Sequence, residues 1–131
     1  LGIKNSNEAT SKVYVVPYGL EKTVSYGTGT SLGPEKILKA SRQIELYDIE
    51  LGIEPSAILS PKTLEVKEIP SSHVNALIKL QNIVKLIVGC KKFPIVIGGE
   101  HSITPACIKP LLEKSKSLTI VQFHLNPLNT L

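Results

Sequence analysis

Tryptophan and methionine are absent from this 131-residue chain, and only two phenylalanines, four tyrosines and two cysteines occur. So few aromatic residues rule out the basic-aromatic interleaving that marks a nucleic-acid surface. Lys and Arg outnumber Asp and Glu by 15 to 11, a net charge of +4, but the lysines are scattered. Lys36 and Lys39, Lys79 and Lys85, Lys91 and Lys92, Lys114 and Lys116 read as solvated faces, so no nucleic acid is expected as a partner. No apolar run approaches the ~20 residues of a membrane span, so no membrane is expected either. Cys90 and Cys107 make no metal motif with each other. With no signal peptide in view, they read as free thiols in a reducing, cytoplasmic compartment, although sequence alone leaves a disulfide open. There is no internal repeat and no low-complexity segment. The chain begins at Leu1, which implies a processed chain or a piece of a longer one.

What is present describes an ordinary globular protein: 42% hydrophobic and 20% charged residues. A single domain of this length buries roughly two thirds of its unfolded surface. Residues 1–11 are polar and read as a loose lead-in. Lys12-Val13-Tyr14-Val15-Val16 is a strand candidate stopped by Pro17 and Gly19. A long Gly/Ser/Thr-rich loop follows, from Glu21 to Gly33. Pro34 and Glu35 open a helix, with Ile37, Leu38, Ile44 and Leu46 on its apolar face and an end near Tyr47-Asp48. Ile58-Leu59 and Leu64-Glu65-Val66 suggest short strands. Ser71 or Ser72 caps a second helix, whose stripe of Val74, Leu77, Ile78, Ile83, Val84 and Ile87 ends at Gly89. Phe93 to Ile97 reads as a strand covered on both faces, and residues 105–116 as a helix kinked at Pro110. Leu118-Thr119-Ile120-Val121-Gln122-Phe123 is the last strand candidate. Strand and helix alternate, which points to an α/β fold with a parallel sheet.

The most informative stretch is Gly98-Gly99-Glu100-His101-Ser102-Ile103-Thr104-Pro105. Two glycines at the exit of a buried strand bring the backbone close to whatever binds there. His101 follows at the carboxyl end of the strand, where open α/β sheets place their ligands. It reads as a metal ligand, an acid/base group, or a polar loop residue bonded to backbone. No second ligand lies at metal spacing, so any metal site draws on other strand ends. The Gly27–Gly33 loop invites a phosphate-cradle reading, but it is one residue off the dinucleotide fingerprint and has no lysine in the Walker position.

Together these stretches resemble one family. Val24-Ser25-Tyr26-Gly27-Thr28-Gly29, Gly33-Pro34-Glu35-Lys36-Ile37, Ala40-Ser41 and Glu45-Leu46-Tyr47-Asp48 are similar to the amino-terminal signature of agmatinases and related ureohydrolases. Gly98-Gly99-Glu100-His101-Ser102-Ile103-Thr104 resembles that family's first metal motif, and Ile120-Val121-Gln122-Phe123 the strand leading to its second. The resemblance covers residues 13–123. It implies a three-layer α/β/α fold with a mainly parallel sheet, arginase-like and here truncated. It also implies two manganese ions bridged by a hydroxide that attacks a guanidinium carbon, releasing urea and an amine. A metal pair suits that step because it lowers the pKa of bound water and holds both nucleophile and intermediate. The implied substrate is a small guanidino compound such as agmatine. Homo-oligomer formation stays open, since relatives form trimers or hexamers.

By the same resemblance His101 is a metal ligand, and Glu100 either holds a ligand in place or is a turn residue bonded to backbone. After the last strand the family places Asp-x-His-x-Asp; here the three ligand positions hold His124, Asn126 and Leu128. His124 can bind metal, Asn126 is a weak ligand and Leu128 is none. Residues 124–131 resemble a foreign or frame-shifted ending, and the family's later ligands are missing. The expectation is a single partial domain with an incomplete manganese site at His101 and His124, and negligible activity. The alternatives are a non-catalytic interaction module using the exposed sheet edge at residues 118–123, or a nucleotide-binding α/β domain.

Overall fold

The computed structural model describes residues 7–123. Strand β1, Val13–Tyr18, is built of β-branched and aromatic residues and lies at the centre of a three-stranded sheet. β2, Lys62–Thr63, pairs parallel with Tyr14 and Val15 on one side, and β3, Phe93–Gly98, runs parallel along all of β1 on the other. The order β2-β1-β3 means that the chain first leaves β1 in one direction and then crosses back over it. Pro17 lies beyond the stretch paired with β2, so its missing N–H breaks no ladder bond on that side.

Side chains alternate across a strand, and the two faces of β1 are filled differently. Tyr14, Val16 and Tyr18 face a core made with Ala76, Leu80, Val84 and Ile87 of helix α3, His73–Gly89, and Ala106 of helix α4, Thr104–Leu112. Fully burying a Leu or Val side chain stabilises by roughly 1.5–3 kcal/mol. Leu80 and Val84 are both 0% exposed. The Tyr18 hydroxyl donates to the Ala76 carbonyl at 2.6 Å and ties β1 to α3. Val13, Val15 and Pro17 point to the opposite face, where Pro17 borders a hollow shared with Pro34 and Leu38 of helix α1, Gly33–Ala40.

Helix α3 starts where expected: the Ser72 hydroxyl accepts from the Asn75 N–H. It also ends where expected, at Gly89. Lys91 then takes the left-handed conformation, φ 58°. Lys91 N–H reaches Val88 C=O and Lys92 N–H reaches Ile87 C=O, both at 3.1 Å, which closes a Schellman motif. A left-handed non-glycine residue is strained by about 1 kcal/mol. Lys91→Gly is therefore expected to raise stability by ~0.5–1 kcal/mol, read as a higher denaturation midpoint in urea.

Several expected elements differ. The first helix stops at Ala40 and gives way to a 3-10 turn, Ser41–Gln43, with the Ser41 hydroxyl bonded to the Leu38 carbonyl at 2.8 Å. Ile44 and Leu46 have no packing surface to hold a longer helix and stand 66% and 44% exposed. Ile58-Leu59 is helical, in α2, Pro55–Leu59, with Pro55 in the first turn and Ser60 left-handed at its end. The strand after it is Lys62–Thr63 rather than residues 64–66. Ser11 is not part of a loose lead-in: it is fully buried, its hydroxyl bonded to the carbonyls of Val13 and Ser60. Helix α4 keeps Pro110 inside it and ends at Leu112, short of residue 116. β3 is less covered than expected: on one face Phe93 and Ile95 are exposed by 65% and 44%. Residues 118–123 form no strand, and among the described residues β2 and β3 are the outer strands of the sheet. Cys90 and Cys107 are both free thiols, and burial pushes the Cys107 thiol up to about 11. Among the described residues no helix is long and apolar enough to cross a membrane.

Candidate functional site

Where the chain leaves β1 toward β2 and later returns over β1 to β3, the loops after β1 and β3 diverge. That is a topological switch point, where open α/β sheets bind ligands. The two strand exits are laced together: Gly99 N–H donates to Tyr18 C=O at 3.1 Å, and Glu100 N–H donates to Leu20 C=O at 2.9 Å. The approach is close enough that a Cβ on Gly99 would lie 2.3 Å from the Leu20 carbonyl oxygen. A cleft of about 360 Å3 opens above this lacing, lined by Thr23, Ser25 and Tyr26 from one loop and Glu100, His101 and Ser102 from the other.

Glu100 is the organising side chain. It is 7% exposed, and its carboxylate accepts from the backbone N–H of Lys22 at 2.5 Å and of Thr23 at 2.7 Å. The Thr23 hydroxyl donates at 2.7 Å, and the Ser102 hydroxyl also donates to the carboxylate. Burial pushes the carboxyl pKa up, but the donors from Ser102, Thr23 and Lys22 outweigh it and hold it down at about 2. Glu100 thus carries a charge at neutral pH and locks the loop after β1 onto the turn after β3.

The same network reaches α3. His73 Nε2 lies 3.0 Å from Ser102 Oγ and 3.5 Å from Glu100 Oε1. A serine touching a histidine and an acid suggests an activated nucleophile, but the order of contacts is wrong for one. The Ser102 proton goes to Glu100, a carboxylate too weak a base to take it at neutral pH. Ser102 is a link between α3 and the turn. The sequence reading missed both residues: Ser102 lay inside the quoted motif, whereas nothing local marks His73, 29 positions upstream.

His101 is exposed at the rim of the cleft, with its Nε2 at 3.4 Å from Gln122 Nε2. Its flanking residues are anchored on both sides, Glu100 to the loop after β1 and Ser102 to α3. Among the described residues, no group of three or more His, Cys, Asp and Glu is placed to hold a metal ion. The Glu100 oxygens face protein donors, so that carboxylate does not add itself to His101 as a ligand. The described residues therefore do not fit a metal pair by themselves. His124, the other candidate ligand, lies outside the described residues, as do Asn126 and Leu128.

The glycine loop does present backbone N–H groups to an anion, and the anion is the chain's own. Glu21 accepts from Gly29 N–H at 2.7 Å and from Ser31 N–H at 2.8 Å, and Ser31 and Gly29 hold its pKa below the usual carboxylate value. A phosphate would have to displace this carboxylate, which weakens the nucleotide reading.

Comparison with known proteins agrees with this geometry. A model of the arginase family matches residues 11–125. An N(1)-aminopropylagmatine ureohydrolase from Synechocystis is 35% identical over 120 residues, covering 87% of this chain and 39% of that protein. An agmatinase from Bacillus cereus is 30% identical over 114 residues, covering 85% and 38%. The crystal structure of an agmatine ureohydrolase of Thermoplasma volcanium superposes with a TM-score of 0.67 at 25% identity, over 83% of this chain and 36% of that one. The chain thus spans less than two fifths of the length of these relatives. With a matching family model over most of its length and the β1/β3 site built as described, the chain belongs to the arginase family.

Proposed function

We propose that this chain serves ureohydrolase chemistry of the agmatinase type, the hydrolysis of a small guanidino compound such as agmatine to an amine and urea. The observation that carries this reading is His101 at the switch point, on a turn fixed to the loop after β1 by Glu100. In this reading His101 is the family's metal-ligand histidine and Glu100 fixes the turn that presents it. Manganese is the metal proposed for the chemistry as a whole. The described residues do not fit a metal pair by themselves. Their contribution is to bring His101 to the strand end and to hold the cleft open beside it. The free thiols suit a reducing, cytoplasmic setting.

Two outcomes follow. The 131-residue chain alone is expected to release no urea from agmatine, with or without added manganese. Steady turnover that tracks manganese would overturn that. In a chimera where residues 11–123 replace the matching part of the Bacillus cereus agmatinase, urea release is expected to return. His101→Ala in that chimera should lower it by about 100-fold or more, the scale of losing a metal ligand or its support. A folded, metal-loaded chimera without activity, or one indifferent to the substitution, would refute the role of this segment.

A further inference from the structure

Three side chains from different elements meet beside the cleft, and the hydrogens between them have one consistent arrangement. His73, the first residue of α3, brings Nε2 to 3.0 Å from Ser102 Oγ, and Ser102 Oγ in turn bonds to Glu100 Oε1. The Glu100 end fixes the direction. Oε2 takes the backbone N–H groups of Lys22 and Thr23, which can only donate, and Oε1 takes the Thr23 hydroxyl. With its pKa held at about 2, the carboxylate has no proton to give at neutral pH. The single Ser102 proton therefore goes to Glu100, and Ser102 Oγ is left as an acceptor toward His73. His73 Nε2 must then carry a proton, whether the ring is neutral or charged. Its second, longer contact is to the same Glu100 oxygen, at 3.5 Å.

We propose that His73 is a positioning residue of the cleft: its Nε2–H, relayed through Ser102 to Glu100, fixes the turn that carries His101. The bonds close a ring. Three residues along α3 the Ala76 carbonyl takes the Tyr18 hydroxyl, and the Tyr18 carbonyl takes Gly99 N–H. The first turn of α3 thus grips the exit of β1 through Ala76 and the exit of β3 through His73. Glu100 joins the loop after β1 to the turn after β3, but that bond alone lets the two move together. His73 ties the joined pair to a helix whose Ala76, Leu80 and Val84 are 0% exposed and packed in the core. The purpose of the grip, to hold the His101 imidazole in one place, rests on the ureohydrolase reading; the direction of the bonds does not.

The Glu100→Gln variant tests the direction. Its amide oxygen has to take the Oε2 place, where two backbone N–H groups arrive, so its NH2 takes the Oε1 place and donates to Ser102. The Ser102 proton then turns to His73, whose Nε2 becomes the acceptor. Ring-nitrogen NMR of the neutral imidazole should show Nε2–H in the parent chain and Nδ1–H in Glu100→Gln, the signal being assigned by its loss in His73→Phe. The grip is read by hydrogen exchange. In His73→Phe the Thr23, Gly99 and Glu100 amides should exchange about tenfold faster, while those of Leu80 and Val84 keep their parent rates. His73→Gln can still donate to Ser102 and should restore most of the protection. Both readouts use the 131-residue chain and need no activity, so they stand or fall apart from the ureohydrolase reading. Nδ1–H in the parent, an unchanged tautomer in Glu100→Gln, or exchange that quickens equally in the turn and in the middle of α3 would overturn the proposal.

Discussion

Glu100→Ala is expected to destabilise the fold by about 2–4 kcal/mol, because it strands several part-buried donors at once. The N–H groups of Lys22 and Thr23 and the hydroxyls of Thr23 and Ser102 all point at the carboxylate. Removing it leaves them without their acceptor and unlocks the loop after β1 from the turn after β3. A fall in Tm of roughly 10–20 °C is the corresponding readout for a domain of this size. Glu100→Gln keeps the shape but not the charge, and should lose less, about 2 kcal/mol. Its more telling signature is in the pH dependence. The Glu100 pKa is depressed to about 2 from 4.5, so its contribution is fully present above pH 4.5 and is lost as the pH falls toward 2. Glu8, Glu21 and Glu113 are also lowered, by Lys62, by Ser31 and by Lys85 respectively, but from solvated positions that are worth little. The difference between the parent and Glu100→Gln stability curves should therefore shrink between pH 4.5 and 2. A difference that stays constant with pH would show that the Glu100 charge does not hold the site together.

Gly99→Ala should cost about 2–4 kcal/mol, although it adds a single methyl group. The new Cβ would sit 2.3 Å from the Leu20 carbonyl oxygen and 3.1 Å from its carbon, both backbone atoms. Those atoms cannot turn aside as a side chain can. To relieve the clash, the exits of β1 and β3 must separate, which stretches the bond from Glu100 N–H to Leu20 C=O and the Glu100 network beside it. A urea titration should show a lower midpoint at an unchanged slope. Gly27→Ala is the control. Gly27 has φ +71° but no atom within 4 Å of its added Cβ, so only the left-handed strain of about 1 kcal/mol applies. Equal effects at the two positions would refute the close approach as the reason for glycine at position 99.

These two residues also show how far sequence carries. The strand, the Gly-Gly exit and His101 were legible because each is a local signal: an apolar run, a residue type with special freedom, a titratable group beside it. Helix α3 was legible because its stripe is long and regular. The role of Glu100 was ambiguous because its partners, Lys22 and Thr23, lie 78 and 77 positions away and contribute mainly backbone, which no side-chain pattern reveals. His73 was invisible for a related reason: it opens a helix, and only the return of the chain to β3 brings it to Ser102. Residues 44–46 and 118–123 were misread the other way. Their apolar pattern invites regular structure, but Ile44, Ile120 and Val121 stand 66%, 56% and 71% exposed, and pattern without a packing partner does not hold an element.

The central place of β1 has a consequence for how the chain is born. Val13 to Tyr18 emerges from the ribosome early, yet the strand that pairs with its whole length, Phe93 to Gly98, is made much later. Only Tyr14 and Val15 gain an earlier partner, in the short β2. At roughly 5–20 residues per second, the wait for β3 is on the order of 4–16 s. Throughout it, a β-branched and aromatic segment stays exposed, and closing so long a loop makes the later pairing slow as well. Ribosome-bound chains halted before Phe93 should therefore be good clients for chaperones that hold extended apolar segments, and chains halted well past Gly98 should not.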